Sequence, residues 1–340
     1  MLWAEHVARN TARERDDIFE EVRKHFTTPE LVELTAVCGL FGLSNRFQDS
    51  MRLPIEPQHE VDKIRASVRA DPERIRTYLQ RMIEHWPQAF PASAKTGGAP
   101  SQPASIGSDA PPQSATTARV PLVDVLDAPA DSARFIEAAT RLFGGVTHAI
   151  RMWAHIPHIG KLFFPLYITL ERDGAGSMLP ATIRMMAFLR THQTHSATYL
   201  LAHHTVLGRA AGLTPGQLEG LASANAPGPA LFTPREQAAI EWAGHVARNT
   251  AKRHDEVFDN LKRHFSDAEI VELTALCALC SDADLVYNAL RIPADPAETL
   301  RAINSAIGLP PERLKAYLQA LLLDWPKTFP IPDASMPVPG

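Results

Sequence analysis

Residues 3–12 read WAEHVARNTA, and residues 242–251 read WAGHVARNTA, so the two stretches differ at a single position. The offset of 239 residues also relates VELTA at 32–36 to VELTA at 271–275. A constant offset means that no net insertion separates these anchors. The chain therefore contains a duplicated structural unit, and its period is too long for a solenoid array.

The repeated unit has the pattern of α-helices. Apolar residues recur at steps of three and four, as on one helix face, at Leu31, Leu34, Val37, Cys38 and Phe41. Thr27 with Glu30, and Ser266 with Glu269, form capping boxes at equivalent places in the two copies. No stretch shows the sustained alternation of a β-strand. The sequence predicts an all-α fold.

Helical patterns also fill the region before the second copy. We expect helices over residues 138–151, 161–171, 180–190 and 197–211. This helical region of about 110 residues precedes only the second copy. In the first copy, Met1 already falls inside the equivalent of the helix predicted over 238–249. The first copy is therefore interpreted as the C-terminal half of a unit.

Three regions follow from these patterns. Residues 1–91 form the incomplete repeat, residues 92–121 a linker rich in Pro, Ser and Ala, and residues 122–340 a complete unit. We expect the linker to be disordered, because it has too few large apolar side chains to offset the entropy of ordering. The helices of residues 1–91 have apolar faces that must be buried against another element. We therefore expect residues 1–91 to dock pseudo-symmetrically on the complete unit or on a second chain. The chain is thus an internal pseudo-dimer or a homo-oligomer.

Composition excludes several classes of protein. The net charge of −4 gives no basic surface for nucleic acid. No apolar run approaches the roughly 18–20 residues of a membrane helix, and the first residues given lack the apolar core of a signal peptide. Three cysteines in 340 residues suit a reducing compartment. We expect a cytoplasmic protein whose partner is a small molecule, without a membrane or a nucleic acid.

Residues 177–221 carry a resemblance to a known family. LPATIRMMAFLR at 179–190, ATYLLAHH at 197–204 and GRAAGLT at 208–214 resemble the core of the carboxymuconolactone decarboxylase and alkylhydroperoxidase-D superfamily. The resemblance extends over about residues 138–330, and the first copy is similar to the second half of that unit. It implies a helical bundle, here duplicated, of a kind that usually oligomerises.

The resemblance also locates the family's redox motif. Peroxidase members have Glu, then Cys-x-x-Cys, then His, and these positions correspond here to Met185, Ala197, Leu200 and His204. Only the histidine is present, and thiolate chemistry needs thiols. The dithiol peroxidase activity is therefore not expected. Lactone decarboxylases of the superfamily need no cysteines and remain possible.

His204 is the candidate catalytic residue. Treating residues 180–211 as one continuous helix places it on an apolar face, where it is either a proton carrier or a core histidine bonded to backbone. His192, His195, Tyr199 and His203 lie on an adjacent face. No acidic residue lies between His192 and His204 to complete a metal site, so a solvated or subunit-facing stripe is the preferred interpretation. We expect no metal and no cofactor, with substrate contacts from His203, Tyr199, His195 and Met185.

Cys277 and Cys280 form a Cys-x-x-Cys in the other half of the unit. The first copy has Phe41 at the position of Cys280, which indicates a position that requires bulk, so these are interpreted as buried structural thiols. Two classes of function remain. The first is an enzyme performing cofactor-free acid/base chemistry (decarboxylation, lactone opening or isomerisation) on a small, partly apolar molecule. The alternative is a non-catalytic helical scaffold or ligand-binding protein with a decayed peroxidase site, and third comes an alkylhydroperoxidase-type oxidoreductase.

Overall fold

The computed structural model describes residues 2–65, 71–87, 90, 118–222, 230–323 and 325–327. These residues form α-helices and two short 3-10 turns, and their β structure is one isolated bridge between Asp173 and Gly308. The all-α prediction is confirmed. The predicted disorder of the linker concerns mostly residues 92–117, which lie outside the described residues.

The N-terminal half-unit contains five helices. They are α1 (Leu2–Ala8), α2 (Asp16–Val22), α3 (Thr28–Met51), α4 (Gln58–Arg65) and α5 (Pro72–Glu84). The upstream part of the complete unit contains α6 (Ala130–Phe143), α7 (His148–Trp153), α8 (Pro157–Glu171), α9 (Ala181–His195), α10 (Thr198–Ala210) and α11 (Pro215–Ala222). The second copy of the repeat contains α12 (Pro234–Ala247), α13 (Asp255–Lys262), α14 (Asp267–Ala289), α15 (Ala297–Asn304) and α16 (Pro311–Leu323).

One of the predicted helices is interrupted, whereas those predicted over 180–190 and 197–211 are present as α9 and α10. The stretch 138–151 is divided by Gly144, which adopts a left-handed φ of 89° and ends α6. The assumption of one continuous helix over 180–211 is wrong, because Ser196 takes a left-handed conformation and ends α9. Since α9 and α10 then pack against each other, residues on the two helices meet directly instead of sharing one face.

The two copies of the repeat have the same internal packing. The indole N–H of Trp3 donates to Thr35 Oγ1 at 3.0 Å, and that of Trp242 donates to Thr274 Oγ1 at 3.0 Å. Each threonine also donates to the carbonyl four residues earlier, and the predicted capping boxes begin both α3 and α14. The constant offset in the sequence therefore corresponds to a constant tertiary arrangement.

The half-unit docks on the complete unit through α3 and α14, and the polar contacts are related by a pseudo-two-fold axis. Arg52 donates to Lys252 O at 2.6 Å and pairs with Asp255. At the same offset, Arg291 donates to Arg13 O at 2.9 Å and pairs with Asp16. Each half thus presents the same patch to the other, which is the pattern of an isologous interface.

Gly39 allows the two long helices to approach closely. A Cβ at this position would collide with the carboxylate of Asp282 and would lie 3.2 Å from the Asp282 carbonyl oxygen. α14 is consequently enclosed by α3 on one side and by α8, α9 and α10 on the other. The functional candidates lie on this second side.

The last residues of the predicted linker are ordered and buried. Arg119 donates to the carbonyls of Ala12 and Ala289 at 2.7 and 2.9 Å, and therefore contacts both halves. Its guanidinium also lies over the ring of Phe19 at 4.9 Å, and Val120 is 1% exposed. Among the described residues, the ordered chain therefore resumes before the predicted boundary at 121, because this arginine satisfies the carbonyls where the two halves meet.

Candidate functional site

The C-terminal end of α9 is held by the half-unit. Asn10 donates its amide N–H to His195 O at 2.7 Å, and Arg13 donates to Ser196 O at 2.9 Å. These bonds satisfy carbonyls that a helix end leaves without intrahelical partners. Asn10, which is repeated in both copies, and the neighbouring Arg13 therefore have a structural role at the border of the candidate site.

Five buried side chains from four helices form a continuous chain of polar contacts. Glu171 Oε1 on α8 lies 3.3 Å from His204 Nε2 on α10. His204 Nδ1 lies 2.9 Å from His192 Nε2 on α9. His192 Nδ1 lies 2.7 Å from Asp284 Oδ1 on α14, and Asp284 Oδ2 lies 3.0 Å from His195 Nδ1. We refer to these five residues as the histidine relay.

Burial and neighbouring charges set the protonation of the relay. Burial by itself would raise the pKa of Glu171, but the Arg172 guanidinium and His204 outweigh it and hold that pKa at about 2. Burial is also the main influence on His204, where it lowers the pKa and disfavours the imidazolium form despite the nearby carboxylate. The pKa of Asp284 is lowered against the effect of burial by His192 and His195. The relay thus has an ionised carboxylate at Glu171 and another at Asp284.

A second polar cluster lies on the other side of α10. Tyr199 donates its hydroxyl to Asp295 Oδ2 at 2.7 Å, and His203 Nε2 lies 2.9 Å from the same oxygen. Asn304 Nδ2 donates to His203 Nδ1 at 3.0 Å, so the imidazole N–H is directed at Asp295. This cluster fixes the orientation of His203 and Tyr199.

A small cavity of about 40 Å³ lies between the two polar clusters. Its walls are mostly aromatic and apolar, with polar groups at one end: Phe143, Thr147, Ala149, Phe163, Phe164, Tyr167, Glu171, Arg172, Tyr199, Leu200, His203, Tyr287, Ile303 and Asn304. Apolar walls with a few convergent polar groups are typical of small-molecule sites. The volume suits a few water molecules or the reacting group of a small substrate.

Tyr167 stands out among the residues that line this cavity. Its hydroxyl is buried and has no hydrogen-bond partner among the described residues. Burial raises its pKa well above the ordinary value, and the negative charge of Glu171, one turn further along α8, raises it further. Tyr167 is therefore protonated, and its O–H can donate a hydrogen bond to a bound molecule.

The structure separates the residues proposed from sequence into three groups. Tyr199 and His203 line the cavity. His204 is fully buried behind Glu171, and His195 is directed away from the cavity, toward Asp284 and the Ala247 carbonyl. Met185 is fully buried and does not line the cavity, so the expected substrate contact is absent there.

The expectation of a solvated histidine stripe is wrong. His192, His195, Tyr199 and His203 are all buried, because α14 and the segment after it bring acidic partners to them from distant parts of the sequence. Asp284 supplies the carboxylate that residues 192–204 lack. Asp282 and Asp284 interrupt a largely apolar run, which was a signal available in the sequence, whereas nothing there indicated Glu171 or Tyr167.

The two cysteines of the second copy are buried, as the sequence predicted. Burial raises the pKa of Cys277 to about 12 and that of Cys280 well above its usual range, so both are thiols at neutral pH. The reasoning from Phe41 was wrong, however. Phe41 is 64% exposed, whereas Cys280 is fully buried with its Sγ 3.4 Å from His192 Nδ1. The equivalent position therefore faces α9 in the second copy, at Cys280, and solvent in the first copy, at Phe41.

Comparison with known proteins gives likenesses of structure only. No family model and no curated protein matches the chain. One similar solved structure is the alkylhydroperoxidase AhpD core of an uncharacterized peroxidase-related protein from Ralstonia eutropha JMP134, with a TM-score of 0.46 and 19% identity over 56% of this chain and 98% of that chain. Another is the apo debrominase Bmp8, with a TM-score of 0.41 and 17% identity over 54% of this chain and 96% of that chain.

At these TM-scores and identities neither protein transfers a function to this chain, so the function proposed below is argued from the chain's own residues. Among the described helices, none is both long enough and apolar enough to span a membrane.

Proposed function

We propose that the chain is an enzyme that transfers protons on a small, partly apolar molecule whose reacting group enters the cavity beside Tyr167 and Glu171. The observation that carries this proposal is the unpartnered, buried hydroxyl of Tyr167 in a cavity that it shares with an ionised carboxylate. A buried polar group without a partner costs about 1–3 kcal/mol, and such groups are frequent at functional sites. A bound substrate oxygen would supply the missing partner.

The two groups divide the work of an enolate-type reaction. Glu171 takes a proton from carbon next to a carbonyl group, the electron pair of the C–H bond moves to the carbonyl oxygen, and Tyr167 donates a hydrogen bond to that oxygen. Return of the proton to another carbon gives isomerisation. Breaking the C–C bond of a β-keto acid releases CO2 and leaves the same enolate. A lactone whose ring carboxylate is β to a carbonyl opens from that enolate by elimination, so the three reactions predicted from the sequence need the same two groups.

His204 acts behind Glu171 as the proton carrier. A carboxylate with a pKa near 2 is a weak base by itself, so the proton that it takes has to be passed on. His204 Nε2 lies 3.3 Å from Glu171 Oε1 and makes no hydrogen bond of good geometry with any described residue. The role expected for His204 is retained, while Glu171 is the group that contacts substrate.

The proposal is tested by proton exchange, which can be detected before the product is identified. The chain is incubated in D2O with a panel of small keto acids, β-keto acids and unsaturated lactones, and NMR records deuterium incorporation and loss of carboxylate. On a substrate that reacts, we expect Tyr167→Phe to lower kcat/KM by about 10²–10³, the loss typical for one donor to an oxyanion. Glu171→Gln should lower it at least as much.

Tyr317→Phe is the matched control. Tyr317 is also a buried tyrosine, but its hydroxyl donates to Lys161 O at 3.0 Å and does not line the cavity. We expect this variant to keep its activity, and Tyr167→Phe to keep its melting temperature because no bond within the described protein is lost. Equal activity in wild type and Tyr167→Phe, or binding without any exchange over the panel, would favour the non-catalytic scaffold or ligand-binding protein.

A further inference from the structure

A nitrogen, a sulfur and an oxygen atom that can bind a metal lie close together inside the protein. The nitrogen belongs to His192, the imidazole that contacts His204. His192, Cys280 and Asp284 each place a ligand atom within 4.8 Å of the other two, and all three side chains are fully buried. Cys280 Sγ lies 3.4 Å from His192 Nδ1 and 4.0 Å from Asp284 Oδ2. His192 Nδ1 lies 2.7 Å from Asp284 Oδ1.

These separations are close to those of a zinc-type coordination sphere. Metal–ligand bonds of about 2.0–2.3 Å in a tetrahedron place the donor atoms roughly 3.3–3.8 Å apart. The contact of Cys280 with His192 already has this length. The contact of His192 with Asp284 has to lengthen, and that of Cys280 with Asp284 has to shorten slightly. A rotation of the Asp284 carboxylate, whose Oδ2 also contacts His195, would make both changes.

The surrounding residues have the arrangement of an outer shell. A histidine that binds a metal through one ring nitrogen usually donates from the other to a fixed acceptor. Here His192 Nε2 meets His204 Nδ1 at 2.9 Å, and His204 Nε2 faces Glu171. His195, which orients Asp284, is itself fixed at 3.0 Å by the Ala247 carbonyl. His204 thus orients the His192 imidazole, and His195 orients the Asp284 carboxylate.

Cys280 brings a sulfur atom to the point of the relay where His192 meets Asp284. A thiolate is a ligand for a transition-metal ion and adds little to a chain of hydrogen bonds between imidazoles and carboxylates.

The first copy of the repeat lacks this donor set. At the offset of 239, Cys280 corresponds to Phe41 and Asp284 to Asn45. Phe41 is exposed, and no described helix packs over it in the manner of α9. The donors therefore occur only in the copy that faces His192.

We propose that His192, Cys280 and Asp284 bind a transition-metal ion of the zinc type, which orients the histidine relay from its buried end. The nitrogen, sulfur and oxygen donors suit Zn²⁺ and exclude a preference for Mg²⁺ or Ca²⁺, which take oxygen ligands. This departs from the sequence-based expectation of no metal. It does not depend on the proposed reaction, because the ion would contact neither Tyr167 nor the cavity.

The test is cobalt binding to the full chain without substrate. Protein stripped with a chelator is titrated with Co²⁺ alone, both in the native state and during refolding, because the site is buried. We expect one equivalent to produce a thiolate-to-cobalt charge-transfer band in the near ultraviolet, which Zn²⁺ displaces. Cys280→Ser should abolish the band, and Asp284→Asn should weaken binding at least tenfold.

Cys277→Ser is the matched control, since Cys277 is an equally buried thiol three residues earlier on α14. It should retain the band and the rise in melting temperature that Zn²⁺ gives to the wild type through linkage. Circular dichroism of each variant separates loss of binding from loss of folding. Absence of the band in folded wild type under both conditions, or its loss in Cys277→Ser and persistence in Cys280→Ser, would overturn the proposal. Loss of exchange activity in Tyr167→Phe with cobalt binding unchanged would leave both proposals standing independently.

Discussion

Helices α3 and α14 have the same internal partners and different neighbours. Each begins with a capping box, and each carries a threonine that accepts a hydrogen bond from a buried tryptophan. The face of α14 that carries Cys280 is covered by α9, whereas Phe41 on the equivalent face of α3 is exposed. The repeated unit therefore provides a scaffold, and the chemistry appears only where a second layer of helices packs on it.

The comparison also explains the docking of the two halves. Both copies place an arginine in left-handed conformation after the long helix, and both arginines reach a carbonyl of the other copy. The burial of these arginines differs, however: the side chain of Arg291 is 28% exposed and that of Arg52 is 54% exposed. The two arginines therefore bind equivalent partners, as the repeat in the sequence implies, but they differ in how far the surrounding residues bury them.

Removal of the tryptophans should have the largest effect on the free energy of unfolding. It tests whether the two copies of the repeat are packed equally tightly. Trp3→Ala and Trp242→Ala each leave a large cavity and remove the donor to a threonine oxygen, in a core where the tryptophans are 2% and 0% exposed. We expect each to lower the free energy of unfolding by about 3–5 kcal/mol. Urea denaturation followed by circular dichroism measures both.

Trp3→Phe and Trp242→Phe serve as controls, since they keep most of the buried volume and should cost less. A loss below about 1 kcal/mol for Trp3→Ala, together with the full loss for Trp242→Ala, would show that the first copy is packed more loosely than the second.

The second effect concerns a group with no counterpart in the first copy. The pKa of Glu171 is about 2 in the folded chain, below its ordinary value of 4.5, so ionised Glu171 stabilises the folded state. This contribution is complete above about pH 4.5 and is lost as the pH falls toward 2; it amounts to about 3 kcal/mol for a buried group. Glu171→Gln should remove that part of the pH dependence.

Urea denaturation at several pH values below about 5 measures this effect, with the wild-type chain in the same buffers as the reference. An unchanged slope of stability against pH in Glu171→Gln would mean that Arg172 and His204 do not hold this carboxylate ionised.

The smallest effect concerns the pseudo-symmetric arginines. Arg291→Ala removes a hydrogen bond to Arg13 O at 2.9 Å and an ion pair with Asp16 from a partly buried position, at a cost of about 1–2 kcal/mol. Arg52→Ala removes the equivalent contacts from a more exposed position and should cost less than about 1 kcal/mol. Thermal unfolding ranks the two variants.

The double variant then shows whether the two contacts act through one interface. Equal losses from Arg52→Ala and Arg291→Ala would contradict the difference in burial. Limited proteolysis of the half-unit, followed in the same samples, reports whether weakened contacts release it.

Local patterns in the sequence determined the helical class and the repeat. The spacing of Leu31, Leu34, Val37, Cys38 and Phe41, the capping boxes and the constant offset are short-range signals, because a helix face and its first turn are fixed by residues three or four positions apart. The resemblance at residues 177–221 placed His204 in the region of the site. The separate helices predicted over 180–190 and 197–211 leave room for the break, but the left-handed conformation of Ser196 escaped prediction, because a serine in that conformation has no distinctive local pattern.

Only the tertiary structure decided which groups surround His204. Glu171, His192 and Asp284 lie on three different helices, and Asp284 is separated by 92 residues from the imidazole that it contacts. Periodicity states which face of a helix is apolar, but it does not state which helix covers that face. For the same reason Cys280 and Phe41 were indistinguishable in the sequence: one faces α9 and the other faces solvent, and packing between helices makes that difference.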